Sequence, residues 1–164
     1  PLYRDTDMAK LPAEAAAKLP AVMAWKFGPR GLLLHGVTKR GKTRTAYLLL
    51  RRLHFADRIL ISAWDTGDWV NECSKRFRSG DGEEWTERQI RVPLLFLDDI
   101  GNEASGERGE GELFRVIKRR GEEMKPIIMT TNKTGINLRE MFGEEDRGAA
   151  LVRRLAEFCE CIGF

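Results

Sequence analysis

Leu32-Leu33-Leu34-His35-Gly36-Val37-Thr38-Lys39-Arg40-Gly41-Lys42-Thr43 is the stretch that decides the fold, because it reads as a short buried strand, a phosphate-binding loop and the start of a helix. Gly36, four residues, and then Gly41-Lys42-Thr43 satisfy the spacing of a nucleoside-triphosphate loop. A chain that wraps a pyrophosphate must turn several backbone N–H groups inward, which favours glycine where it bends sharply. The helix that follows starts at the phosphates, so its unpaired N–H groups and positive end face the negative charge. The reading assigns Gly36, Val37, Thr38, Lys39, Arg40, Gly41, Lys42, Thr43 and Arg44 to the nucleotide. Lys42 reaches the β- and γ-phosphates, and the Thr43 hydroxyl ligates Mg2+. The bland alternative is a glycine-rich strand-to-helix turn with no ligand. The apolar run before the loop and the helix-forming Thr45-Ala46-Tyr47-Leu48-Leu49-Leu50 after it favour the loop.

Outside this stretch the composition sets bounds. A chain of 164 residues, 42% hydrophobic and 32% charged, suits one soluble globular domain. No run approaches the ~20 apolar residues of a membrane span. No basic-then-apolar leader opens the chain, so the expectation is cytoplasmic, with Pro1 marking a processed terminus or the edge of a longer chain. Its 28 basic and 25 acidic residues give a formal charge of +3, which permits a nucleic-acid surface without requiring one. Cys73, Cys159 and Cys161 contain no Cys-x-x-Cys pair, which argues against a disulfide framework or a zinc site.

The prolines of residues 1–30 predict a helical and loop extension with one short helix over 13–19 and a second over 21–27, where Trp25 and Phe27 pack, or else contribute to an adenine pocket. A strand over 31–36, a helix over 42–53, a strand over 58–63, a cap at 65–68, a helix over 68–78, a polar loop at 78–84 and a helical turn at 86–91 follow. Val92-Pro93-Leu94-Leu95-Phe96-Leu97 is the most hydrophobic strand, a run without polar alternation of the kind a central parallel strand needs. It ends in Asp98-Asp99, where ligands bind in open α/β sheets. Asp98 is therefore the Mg2+ ligand and Asp99 the group that orients or deprotonates water. Residues 101–111 read as a surface loop. Residues 112–120 read as an amphipathic helix ending in the basic cluster Lys118, Arg119 and Arg120, which is either a solvated face or a contact to DNA or a neighbouring subunit. The strand 126–132 ends in Asn132, an amide suited to hold a water and a phosphoryl oxygen. Helices over 137–142 and 144–155 and a strand over 157–164 complete a doubly wound parallel sheet with helices on both faces.

Gly36–Thr43, Leu94-Leu95-Phe96-Leu97-Asp98-Asp99-Ile100-Gly101, Lys125-Pro126-Ile127-Ile128-Met129-Thr130-Thr131-Asn132 and Val152-Arg153-Arg154-Leu155 together resemble the AAA+ ATPases of the bacterial and phage helicase-loader type, among them DnaC-like loaders and IstB-like transposition helpers. The resemblance runs over residues 6–164 and implies an α/β P-loop NTPase, an AAA+ core without its helical lid. It makes Asn132 the sensor residue, Asp98 and Asp99 the second nucleotide motif, and Arg154 the finger that acts in trans, with Arg153 as runner-up. ATP and Mg2+ are the implied cofactors. The implied partners are further copies in a ring or spiral, single-stranded DNA, and a replicative helicase or a transposase. The implied activity is ATP hydrolysis in helicase loading for DNA replication. The alternatives are a transposition helper, a nucleotide-binding scaffold with negligible hydrolysis, and a small-molecule kinase of the same loop class. One departure stands out: Lys39-Arg40 sits where the family carries small residues.

Overall fold

The computed structural model describes residues 6–101, 107–133, 153 and 155–164. Five strands alternate with helices: α1 (Ala13–Ala24), β1 (Gly31–His35), α2 (Lys42–Phe55), β2 (Ile61–Asp65), α3 (Thr66–Ser79), α4 (Gly82–Arg91), β3 (Leu94–Ile100), α5 (Glu107–Glu122), β4 (Ile127–Thr131) and β5 (Cys159–Gly163). The strands are parallel and lie in the order β2-β3-β4-β1-β5. Pleat alternation divides the core. Leu32, Leu34, Leu94, Phe96 and Ile128 meet α1 and α2 on one face. Leu33, Leu95, Leu97, Ile127 and Met129 meet α3, α4 and α5 on the other. Each fully buried side chain of this size contributes about 1.5–3 kcal/mol relative to exposure, so helices on both faces hold the sheet.

Several boundaries differ from the sequence expectation. Pro20 does not end the first helix; α1 continues through it to Ala24. The missing N–H costs a ladder bond, but Ala15 and Val22, on either side of Pro20, are both fully buried, and their packing carries the helix across it. Trp25 packs into the α2-side core, while Phe27 is 42% exposed. The second strand begins at Ile61 rather than 58, because Arg58 has a left-handed φ of 57°. The polar stretch at 82–84 belongs to α4, and 107–111 belongs to α5. The helices expected over 137–142 and 144–155 lie outside the described residues except at 153 and 155.

The basic cluster expected over 118–120 is divided between surface and core. Arg120 is fully buried, and its guanidinium donates to the carbonyls of Gln89, Ile90, Val92, Pro93 and Pro126. It joins the end of α4 to the starts of β3 and β4, and so cannot reach DNA or a second subunit. Arg119 stays at the surface, paired with Glu87 and Glu123, and Lys118 lies 4.0 Å from Glu122.

Candidate nucleotide-binding site

β1, β3 and β4 deliver their polar residues to one edge of the sheet. After β1 the chain turns at Gly36 with φ 133°, where a Cβ would stand 2.1 Å from the Phe164 carbonyl oxygen. It enters α2 through Gly41, the N-cap, at φ 89°. A Cβ at Gly41 would meet Ala15 at 2.7 Å and Pro12 at 3.0 Å. Both glycines of the motif are thus required by backbone conformation and by close approach together.

Lys42 is 6% exposed, and its Nζ donates to the carbonyls of Gly36 at 2.9 Å and Val37 at 2.7 Å and to Asn132 Oδ1 at 2.8 Å. The Asn132 amide donates in turn to Asp99 Oδ1 at 2.6 Å, so one side chain links the loop lysine to the second carboxylate. Burial lowers the Lys42 pKa, opposed by the charges of Asp99 and Asp98. Thr43 Oγ1 donates to Asp98 Oδ1 at 2.9 Å. Burial raises the Asp98 pKa, the hydroxyls of Thr130 and Thr43 work against that rise, and the charges of Asp99 and Asp65 add to it. These residues, with Lys39, border a cavity of about 490 Å3. Its lining offers two hard oxygens 2.9 Å apart, from Thr43 and Asp98. That donor set fits Mg2+, which keeps most of its waters and takes one or two protein oxygens.

The sequence-expected residues Lys42, Thr43, Asp98, Asp99 and Asn132 are therefore brought together. Arg40 is not among the residues of the cavity wall and instead forms an ion pair with Glu14 of α1. Arg44 also lines the cavity, and its guanidinium contacts Thr6 Oγ1 at 3.4 Å. Arg154 lies outside the described residues, and Arg153 is exposed.

Two contributors are absent from the sequence reading. Thr130, 1% exposed, donates to Asp98 Oδ1 at 2.6 Å and accepts from the Asp99 N–H at 2.8 Å. Asp65 lines the cavity while capping α3 through the N–H groups of Gly67 and Asp68. Thr130 lies in β4 two positions before Asn132, which directly follows the strand's last residue, and period-two spacing is the signal that could have found it. Asp65 reads as a cap, which it is; its second role depends on the pairing of β2 with β3, which places it opposite Asp98.

A parallel sheet in this strand order, with the loop after β1 and carboxylates on β3, defines a P-loop nucleotide-triphosphatase fold of the AAA+ class. Residues 5–164 match the family model of the IstB-like ATP binding protein, and the chain belongs to that family. No curated protein sequence matches it. Among solved structures it resembles the DnaC helicase loader, at 21% identity over 92% of this chain and 88% of that one, with a TM-score of 0.75. It resembles DnaI at 21% identity over 99% and 92%, also with a TM-score of 0.75. DnaA from Aquifex aeolicus, bound to AMPPCP, matches at 18% identity over 92% of this chain and 45% of that one, with a TM-score of 0.71. At such identities the likeness is one of fold. Among the described residues no helix is long and apolar enough to cross a membrane.

Proposed function

We propose that the chain is a Mg2+-dependent ATPase that assembles on DNA and serves as a helicase loader in replication. The observation that carries this reading is the linked pair of contacts at one cavity: Lys42 through Asn132 to Asp99, and Thr43 to Asp98. Backbone N–H groups of Thr38–Lys42 hold the β-phosphate, Lys42 neutralises the phosphoryl oxygens, and Asn132 keeps Asp99 aimed at the attacking water. Thr43 and Asp98 would hold Mg2+, which when bound offsets charge on the β- and γ-oxygens.

Arg154 is the finger for the site of an adjacent copy, and such a residue is worth ~10³–10⁵ in turnover where it has been measured. A dilute monomer should then bind ATP and hydrolyse it slowly, with turnover rising as copies assemble. Light scattering with a non-hydrolysable ATP analogue, with and without single-stranded DNA, tests recognition and assembly together. Brisk hydrolysis by a monomer, unchanged in Arg154→Ala, would refute the trans arrangement. Lys118 and Arg119 remain as surface cations for DNA or a neighbouring copy; charge removal there should flatten the salt dependence of DNA binding.

The family match favours a second reading, an IstB-like helper of transposition. Capture of a replicative helicase supports the first reading, and capture of a transposase the second.

A further inference from the structure

Lys39 and Arg40 are adjacent in the loop, yet the fold gives them different surroundings. Arg40 is committed to Glu14, in the first turn of α1, beside the point where Pro12 and Ala15 close on Gly41. Lys39 borders the cavity together with Lys42, Thr43 and Asp98. Among the described residues no carboxylate pairs with Lys39. Its backbone is left-handed, with φ 63°, a conformation that glycine adopts freely and lysine only under strain. A strained residue persists where its surroundings fix it, and such residues cluster at ligand sites.

We propose that Lys39 is a second phosphate-contacting cation, one that biases the site toward a nucleoside triphosphate over a diphosphate. The proposal rests on the nucleotide-binding reading above. Its selectivity follows from charge. A triphosphate carries about one more negative charge than a diphosphate, so an added ammonium on the cavity wall favours the triphosphate by an energy inversely proportional to distance and local dielectric. Lys39 is exposed, so its contribution must also shrink with salt, unlike that of buried Lys42. With Arg40 held at α1 by Glu14, Lys39 is the cation that the loop itself adds to Lys42 and Arg44 on the cavity wall.

The test is the ratio of affinities for AMPPNP and ADP, measured by calorimetry in wild type, Lys39→Gln, Lys39→Gly and Lys39→Arg at low and high salt. A ratio is insensitive to partial unfolding, which lowers both apparent affinities alike. Lys39→Gln should cut the low-salt preference for the triphosphate by about three- to ten-fold, the range expected of a charge-assisted contact weakened by exposure. Lys39→Gly, which removes both the charge and the left-handed strain, should lose the preference equally, and Lys39→Arg should keep it. An unchanged ratio in Lys39→Gln, while wild type binds both nucleotides, would overturn the proposal alone, as would an equal loss in Lys39→Arg. Wild type that binds neither nucleotide would overturn the underlying reading as well.

Discussion

Replacing Arg120 with methionine keeps most of the aliphatic stem and removes the guanidinium, so its effect isolates the five carbonyl contacts. Two acceptors, Gln89 and Ile90, belong to the last turn of α4, whose carbonyls have no partner within the helix. The others, Val92, Pro93 and Pro126, sit where β3 and β4 begin. Burial pulls the Arg120 pKa down to about 10, still far enough above neutrality to keep it charged. Exchanging a buried ion pair for hydrocarbon is often harmless, because both charges leave together. Here the partners are backbone carbonyls that stay behind. Leaving a buried acceptor unsatisfied costs about 1–3 kcal/mol, and since relaxation will recover part of five such losses, a total near 4–6 kcal/mol is expected. That is a large share of the ~5–15 kcal/mol that holds a domain together. At about 2–4 °C per kcal/mol, the melting temperature should fall by roughly 10–20 °C. The Arg120→Lys variant, whose ammonium can bond at most about three carbonyls at once, should lose about half as much. Trp69 and Trp85, 0% and 5% exposed, report unfolding by fluorescence in urea. A methionine variant within about 1 kcal/mol of wild type but defective in DNA binding would refute the clamp and restore Arg120 to the surface role its sequence suggests.

Other outcomes follow from the site and the core. Thr130→Val, equal in shape but without a hydroxyl, should weaken Mg2+-dependent nucleotide binding about ten-fold or more, while Thr130→Ser retains most of it; equal behaviour of the two would remove Thr130 from the support of Asp98. Burial raises the Asp98 pKa above its unfolded value, so its contribution to stability is present below that value and lost as pH rises through the folded one. Asp98→Asn should therefore melt higher than wild type at neutral pH without metal, and the gap should close on acidification while Mg2+ dependence disappears; a lower neutral melting point would contradict this. Burial pushes Cys73 up to about 11 and Cys159 up to about 12; it raises Cys161 as well, but Cys161 alone of the three is exposed to a reagent. Since the thiolate is the nucleophile, iodoacetamide at mildly alkaline pH should modify Cys161 first and reach the other two only in urea, as mass spectrometry of the peptides would show.

The strands are legible because burial on both faces writes itself as uninterrupted apolar runs, as in Leu94–Leu97 and Ile127–Met129. The helices of the opposite face are harder. α4 buries Gly82, Trp85, Thr86, Gln89 and Ile90, of which only Trp85 and Ile90 carry large apolar side chains, so its helical spacing is masked by composition. The start of α5 looks like a glycine-rich loop. Gly109 is there because a Cβ would lie 2.8 Å from the Val70 carbonyl oxygen, and its absence lets α5 pack closely on α3. Arg120 misleads for a related reason: three consecutive cations look alike in sequence, and helix geometry alone turns the third inward. At the site, Lys42, Thr43, Asp98, Asp99 and Asn132 each lie within a motif and can be assigned roles. The partition of Lys39 and Arg40 cannot, since it depends on where α1 docks.

The interposed β4 explains why three motifs so distant in the chain act as one site. β1 and β3 are not neighbours, so Lys42 and Asp99 need a go-between, and Asn132 directly follows the last residue of the strand between them. Alternation along β3 and β4 puts Phe96, Asp98, Ile128 and Thr130 on the α2 face, which is why Asp98 meets both Thr43 and Thr130. Strict alternation would send the Asp99 side chain to the opposite face, away from the phosphate loop. Instead, the register shifts between Leu97 and Ile100, and Asp99 adopts φ 60°. The Thr130 hydroxyl accepts from its N–H, and Asn132 donates to its carboxylate. This irregularity brings two successive carboxylates within reach of the same loop, and the residues that hold it come from β4 rather than from the strand that bends. Changes at Thr130 should consequently disturb both carboxylates together, whereas changes at Asn132 should disturb Asp99 and Lys42 and leave the Thr43–Asp98 contact in place.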